Sequence, residues 1–390
     1  MSWFETFFAE QEYQLKERNQ YRQIQAILRK GKHIITGKNQ VLNLASNDYL
    51  GLAGNSQHIE DFLKQYKNNI FMGSTSSRLI SGDSPELREA EERFAKWIKK
   101  ETALILPSGY HANISIFAAF QETDTCVFMD KSCHASMYDG VKLGSLKLYR
   151  YPHNNMEMLL KLLKKHRAKH KNAIIATEAL FSMDGDTADI KNISQLAKEY
   201  DCISIVDEAH SIGITGPHGA GITRKTELEQ DIDIIIATGG KALGAAGGLI
   251  ACSNKIRTFL INRSRPLIYS TAISPIIAAW LSYTMEKVKK MQKEREKLKS
   301  LWEYTRKKLK QKGYNTGNSN MQIIPIITGS SKQALFLSEK LRNNGIYSPA
   351  IRPPTVRETK SCVRISITSL MEKTDIHQLL ESIGDTQYES

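Results

Sequence analysis

Lys241 stands in Ala237-Thr238-Gly239-Gly240-Lys241-Ala242-Leu243-Gly244, directly after the apolar run Ile234-Ile235-Ile236. An amine held among apolar neighbours has a lowered pKa and adds to aldehydes, so this lysine is placed to carry a carbonyl cofactor as a Schiff base. The same segment alone is also compatible with a glycine-rich loop bearing an incidental lysine. Upstream, Val206-Asp207-Glu208-Ala209-His210 puts a carboxylate at the end of a second apolar run. Asp207 suits the ring nitrogen of a pyridine, which it would keep protonated so that the ring draws electrons from a substrate Cα. Read by itself, a strand-end aspartate is more often a turn or capping residue. His134 follows a third apolar run, in Asp130-Lys131-Ser132-Cys133-His134, where an imidazole can stack over a ring or simply serve the loop. A fourth run leads into Ser108-Gly109-Tyr110-His111, a glycine turn whose helix start offers N–H groups and a positive dipole end to a phosphate. Together the four segments supply an amine, a carboxylate, a stacking ring and an anion site.

These segments form one site only if their strands end along one edge. The runs Thr102 to Leu106, Thr125 to Met129, Ala173 to Thr177, Ile203 to Val206, Ile232 to Ala237 and Gly248 to Cys252 alternate in part with helical patterns such as Met156 to His170 and Ile190 to Tyr200. That alternation predicts an α/β fold with a mainly parallel sheet covered on both faces, which binds ligands at its strand ends. Ser84-Pro85 opens a helix as N-cap and first helical residue. Residues 1 to about 32 read as a helix, with Phe7, Tyr13, Tyr21, Ile24 and Leu28 on one face and Gly31 as its stop, followed by a strand at Val41 to Leu44. Beyond Pro275 a long Lys- and Glu-rich helix to about Lys312 leads into a smaller α/β unit with strands at Gln322 to Ile327, Tyr347 to Ile351 and Cys362 to Thr368. Alternation in the last of these sets Val363, Ile365 and Ile367 on one face and turns Arg364 away from that core. The expected division is an amino-terminal helix and strand segment (1–45), a large domain (46–275), and a connecting helix with a small carboxy-terminal domain (276–390).

Composition narrows the function classes. With 41% hydrophobic and 8% aromatic residues the chain reads as an ordinary globular protein, not a disordered one. The longest apolar candidate, Ile273 to Leu281, is short and interrupted by Pro275, so no membrane span is expected. The first residues lack the pattern of a secretory signal, which makes the cytoplasm the expected compartment. Five cysteines without a C-x-x-C pair argue against a disulfide framework or a zinc site, and no metal is expected. The net charge of +13 is concentrated in helical stretches such as Lys287 to Lys312 and has no nucleic-acid-binding motif beside it. It reads as a solvated basic face, not as a nucleic-acid groove.

Six stretches carry a family resemblance: Leu44-Ala45-Ser46-Asn47-Asp48-Tyr49-Leu50-Gly51, Ser108-Gly109-Tyr110-His111-Ala112-Asn113, Phe181-Ser182-Met183-Asp184-Gly185-Asp186, Val206-Asp207-Glu208-Ala209-His210, Thr238-Gly239-Gly240-Lys241 and Leu267-Ile268-Tyr269-Ser270-Thr271. In this order, and over almost the whole chain, they resemble the α-oxoamine synthase family of pyridoxal 5'-phosphate enzymes. The resemblance implies the transferase architecture called fold type I, with a large domain built on a mainly parallel sheet and a smaller carboxy-terminal α/β domain. It implies that Lys241 forms the Schiff base and serves as base, that Asp207 pairs with the ring nitrogen, that His210 contacts the ring 3′-oxygen, and that His134 stacks on the ring. Ser108, Gly109, Tyr110 and Thr238 would hold the phosphate, Ser182 would touch the cofactor, and Ser270 or Thr271 would come from a second subunit of a homodimer with a shared active site. Among substrate contacts, Arg364 matches the arginine that grips the amino-acid carboxylate, Asn47 lies in the first motif, Thr355 would lie by the acyl group, and Arg22 or its rival Arg18 would meet substrate.

Ile351-Arg352-Pro353-Pro354-Thr355-Val356 is most similar to the members that join L-alanine to a pimeloyl thioester, carried on acyl carrier protein or coenzyme A. Two other readings remain at this point: a glycine C-acetyltransferase with a short acyl donor or another α-oxoamine synthase, and a non-catalytic basic-surface binding protein on the same fold. The chain departs from the family pattern in its less glycine-rich run at 73–82, in Leu87 where members commonly carry histidine, and in Arg357 where a proline often follows Val356.

Overall fold

A computed structural model of the chain describes residues 2–37, 39–66 and 71–384. Contacts divide it into two compact units, a larger one of residues 47–182 and 186–297 and a smaller one of residues 1–46, 183–185 and 298–390. The amino-terminal stretch thus falls in the same unit as the carboxy-terminal residues. Strands are numbered in chain order. The smaller unit opens with β1 (Leu28–Lys30), β2 (His33–Thr36) and β3 (Asn39–Asn43). The larger holds β4 (Thr102–Leu106), β5 (Thr125–Asp130), β6 (Lys147–Tyr151), β7 (Asn172–Glu178), β8 (Ile203–Asp207), β9 (Ile234–Thr238) and β10 (Gly248–Cys252). The smaller closes with β11 (Ile323–Ile327), β12 (Ile346–Tyr347), β13 (Ala350–Ile351) and β14 (Cys362–Ser366).

In the larger unit the sheet order is β4-β10-β9-β8-β7-β5-β6. Strands β5 to β9 pair parallel, because each of the connections β5–β6, β6–β7 and β7–β8 contains a helix long enough to carry the chain back: Ala135–Leu143, Met156–His166 and Ile190–Glu199. Between β9 and β10 there is only the short loop 239–247, too short for a crossover, so β10 runs back antiparallel to both β9 and β4. This reversal is the one departure from the expected parallel series, and it puts Lys241 in a hairpin loop. Val127, Phe128, Ile175, Val206 and Ile236 are fully buried, each stabilising the sheet by about 1.5–3 kcal/mol relative to exposure. Since β4 runs with β5 to β9, all six carry their carboxyl ends to one edge, where β10 begins. The helix Pro85–Ile98 starts as expected, Ser84 Oγ accepting the N–H of Leu87 at 3.3 Å.

The smaller unit corrects two expectations. Its first helix spans only Trp3–Glu17; Arg18 caps it, and the chain then extends to a β1–β2 hairpin around Gly31, at φ +57°. Met1, where the expected helix began, lies outside the described residues. The glycine read as a helix stop is a hairpin turn, and Ile24 and Leu28 are exposed rather than on a packed helical face. Arg22 therefore lies in extended chain. In the sheet β11-β14-β13, β14 is the central strand and every residue in it is buried. Arg364 lies opposite Val363 and Ile365, as alternation requires, and is buried there at 8% exposure, with Nη1 donating to Ser366 Oγ at 2.9 Å. Alternation sorts faces, and a strand covered on both has no solvent side. No helix among the described residues is long and apolar enough to cross a membrane.

Candidate active site

The loop 239–247 is held by its own main chain: Gly239 N–H donates to Gly247 O at 2.8 Å, Ala245 N–H to Gly239 O at 2.8 Å, and Gly244 N–H to Lys241 O at 2.9 Å. Gly244 sits at φ +57°, where a Cβ would also come within 2.7 Å of the Ala53 nitrogen. This tight loop presents Lys241 Nζ to His210 Nε2 at 2.8 Å. His210 Nδ1 is 2.7 Å from the Tyr49 hydroxyl, which donates to Asn47 Oδ1 at 3.1 Å. Because that hydroxyl has one hydrogen, its oxygen takes the hydrogen on Nδ1, leaving Nε2 as acceptor toward the lysine amine.

Asp207, at the end of β8, is 5% exposed and has a donor on each oxygen: Ala209 N–H to Oδ1 at 2.8 Å and Asn113 Nδ2 to Oδ2 at 2.9 Å. The Asn113 amide also donates to Ser136 Oγ at 3.0 Å, and that hydroxyl is 2.7 Å from His134 Nδ1. Ser136 N–H donates to the same Nδ1 at 3.3 Å. With its oxygen engaged by Asn113 and its hydrogen free to turn, Ser136 donates to His134, so Nδ1 is an acceptor and the proton of the neutral ring is on Nε2. His134 caps the helix Ala135–Leu143 and stays open to the cleft. Its pKa is lowered, chiefly by desolvation; the Asp207 charge opposes this and the Lys241 charge adds to it. Next to Asp207, the carboxyl of Glu208 is buried under donors from Ile222 N, Thr223 N and the hydroxyls of Ser211 and Thr223, pinning the turn that carries His210. Burial raises its pKa, against those hydrogen bonds.

The third part is the turn after β4. Ser108 caps the helix Gly109–Ala118, accepting His111 N–H at 3.3 Å, and the first N–H groups of that helix have no carbonyl within it to bond. Gly248, which pairs with both Leu106 and Thr238, lets this turn close over the sheet: a Cβ there would fall 2.2 Å from Ser108 O. Thr238 Oγ1 donates to Gly247 O at 3.1 Å, and the position of a Cβ on Gly109 lies 3.3 Å from Thr238 Cβ.

These parts enclose a cavity of about 210 Å³. Of the residues expected from sequence, Gly109, Tyr110, His134, Asp207, His210, Thr238 and Lys241 line it. Ser108 supports it as a cap and Asn47 through Tyr49. Ser182 is buried beside it, its N–H donating to Glu178 Oε2 at 3.1 Å. Ser270 and Thr271 are not in the lining; Thr271 forms an isolated bridge with Ser77 on an exposed segment. Arg22, Thr355 and Arg364 belong to the smaller unit, where Arg22 Nη2 donates to Pro353 O at 3.3 Å, two residues before Thr355. Arg18 is exposed at the end of the first helix. Sequence reasoning assigned no role to Tyr49, Asn113, Ser136 or Glu178. Glu178 is 2% exposed; burial pushes its pKa up to about 8, with the Asp207 charge adding and Lys241 opposing. The signal for Tyr49 and Asn113 was their place inside quoted motifs; for Glu178 it was a charged residue ending an apolar strand.

The cavity fits a phosphorylated pyridine aldehyde. It offers an amine, a strand-end carboxylate, an aromatic ring at the mouth and a helix start for an anion. Two buried polar atoms in the lining, Asn113 Oδ1 and Glu178 Oε1, also have no hydrogen-bond partner among the described residues.

The chain is similar to known proteins in sequence and in fold. The family described as "Aminotransferase class I and II" matches residues 39–383. A Haemophilus influenzae protein named "Putative 8-amino-7-oxononanoate synthase" is 39% identical over 373 residues, 95% of this chain and 98% of that protein. The crystal structure of 8-amino-7-oxononanoate synthase from Francisella tularensis superposes with a TM-score of 0.73 at 27% identity, covering 88% of this chain and 96% of that one. An SPT variant with PLP superposes at 0.87 with 25% identity, over 97% of this chain and 96% of that one. The chain belongs to the class I and II aminotransferase family and, within it, to the α-oxoamine synthases.

Proposed function

We propose that the protein is a pyridoxal-phosphate-dependent acyltransferase that condenses L-alanine with a pimeloyl thioester. The products are 8-amino-7-oxononanoate, carbon dioxide and the free thiol carrier. The observation that carries this reading is the convergence of Lys241, Asp207, His210 and His134 on one cavity at the strand ends. The names of the full-length relatives support the choice of substrates.

Lys241, Asp207, His134 and the Ser108-Gly109-Tyr110 turn with Thr238 would hold the cofactor. When bound, it supplies an aldehyde for amine addition and a ring that stabilises negative charge at the substrate Cα. Asp207, anchored by Ala209 and Asn113, would pair with the ring nitrogen. Lys241 Nζ takes the alanine Cα proton, with His210 Nε2 at 2.8 Å as its hydrogen-bond partner. His134, held neutral, offers Nε2–H to the carboxylate that departs as carbon dioxide or to the thioester oxygen. Arg364 binds the amino-acid carboxylate, while Asn47, Thr355 and Arg22 contact substrate. Both candidate thiol carriers, acyl carrier protein and coenzyme A, are anionic, which suits the charge of +13.

The active form is a homodimer to which Ser270 and Thr271 contribute from the neighbouring subunit. Around their segment, Phe71 (75% exposed), Met72 (73%), Ile80 (81%) and Tyr269 (71%) leave apolar surface for a second copy. Reduction of the cofactor-loaded protein with borohydride followed by peptide mapping tests the assignment of the amine. The expected result is one modified residue, Lys241; cofactor mass on another lysine, or on none, contradicts it.

A further inference from the structure

We propose that His153 is a positioning residue, an imidazolium that staples the turn carrying His134 to the hairpin carrying Ser182. The observation is geometric. His153 Nδ1 lies 3.1 Å from Asp130 Oδ1, and Nε2 lies 3.0 Å and 3.1 Å from the two oxygens of Asp186. Ionised carboxylates only accept, so a ring facing one with each nitrogen carries a hydrogen on both. The carboxylates are withdrawn from water, with side chains 1% and 7% exposed, and the imidazole is 20% exposed.

Each carboxylate is tied to a functional segment. Asp130 ends β5, and its Oδ1 also accepts Ser132 N–H at 2.8 Å, fixing the turn that runs on to His134. Asp186 accepts the Phe181 N–H at its main-chain oxygen, 2.9 Å away, closing the hairpin that contains Ser182. Asn154 makes the same link a second time: its N–H donates to Asp130 Oδ2 at 2.7 Å, and its Nδ2 donates to Asp186 Oδ2 at 3.2 Å and Thr187 O at 3.1 Å. Phe181 packs edge-on against the imidazole at 4.4 Å between ring centres. The charged groups acting on His153 are thus Asp130 from β5 and Asp186 from the hairpin. Burial alone would lower its pKa, but those two partners push it up to about 10. One cation between two acidic anchors holds both segments at a fixed spacing through the neutral pH range.

The catalytic consequence rests on the role given above to His134; the staple itself does not. The test uses the full chain labelled with ¹⁵N-histidine, with the His153 resonances assigned from His153→Gln. Both ring nitrogens are expected to stay protonated from about pH 6 to about pH 9, and Asp186→Asn to bring the titration down toward the ordinary histidine range. A ring that titrates near neutrality in the unaltered protein, or that carries a single hydrogen beside a protonated carboxyl, overturns the staple whatever the enzyme makes. In the loaded enzyme, His153→Gln is expected to keep the cofactor absorbance while kcat falls roughly tenfold to a hundredfold, because a small misplacement of a reacting group is costly. An unchanged kcat, or a loss confined to cofactor loading, overturns the positioning role. A persistent imidazolium in a protein that forms no condensation product leaves the staple standing and removes the proposed function instead.

Discussion

At the scale of single residues, the chemistry depends on protonation states set by neighbours. His134 is kept neutral by desolvation and by the two donors that Ser136 directs at Nδ1. A lowered pKa means that the neutral ring persists to more acidic pH than in free histidine. Ser136→Ala removes the hydroxyl donor to Nδ1 and leaves that nitrogen readier to bind a proton. The acid limb of the kcat/KM profile is therefore expected to move to higher pH, measurable from initial rates across the acid range; a profile that does not move, or moves to lower pH, contradicts the tautomer assigned here. Lys241, Asp207 and His134 were legible in the sequence as candidates because reactive residue types followed apolar runs, whereas His210 was reached only through the family resemblance; all four line the cavity. Asn113 and Tyr49 were not legible as site residues. They are ordinary polar side chains, and their partners Asp207 and His210 lie 94 and 161 residues away, joined to them only by folding.

At the scale of elements, strands buried on both faces announce themselves as continuous apolar runs, which is why β4, β5 and β7 to β10 could be read within a residue or two. Edge and surface elements do not. β6 is an edge strand with charged and aromatic residues, and the β1–β2 hairpin was hidden inside an apolar spacing that also suits a helix. The direction of β10 was implicit in the shortness of the loop before it, and that reversal places Gly248 between the ends of β4 and β9. A side chain there meets Ser108 O at 2.2 Å, a backbone atom that cannot swing aside. Gly248→Ala is expected to destabilise the protein by about 1–3 kcal/mol, as overpacking does, and to weaken cofactor affinity by displacing the Ser108 turn. Chemical denaturation and cofactor titration measure the two effects; unchanged affinity would remove the turn from the anion site.

At the scale of the whole molecule, the order of six motifs identified the family from sequence, but the assembly is a separate question. Apolar side chains exposed around Tyr269 and Ile80 predict a dimer, to be measured by sedimentation equilibrium. Ile80→Asp combined with Tyr269→Asp is expected to shift the protein toward monomer and to reduce activity with it; a monomeric, fully active unaltered protein rules out the shared site. The proposed reaction is tested by the mass of the product formed from L-alanine and a pimeloyl thioester. The expected product has the mass of 8-amino-7-oxononanoate and forms with release of carbon dioxide and free thiol. Product only from glycine with an acetyl thioester, or no carbon–carbon bond formed with either pair, would contradict it.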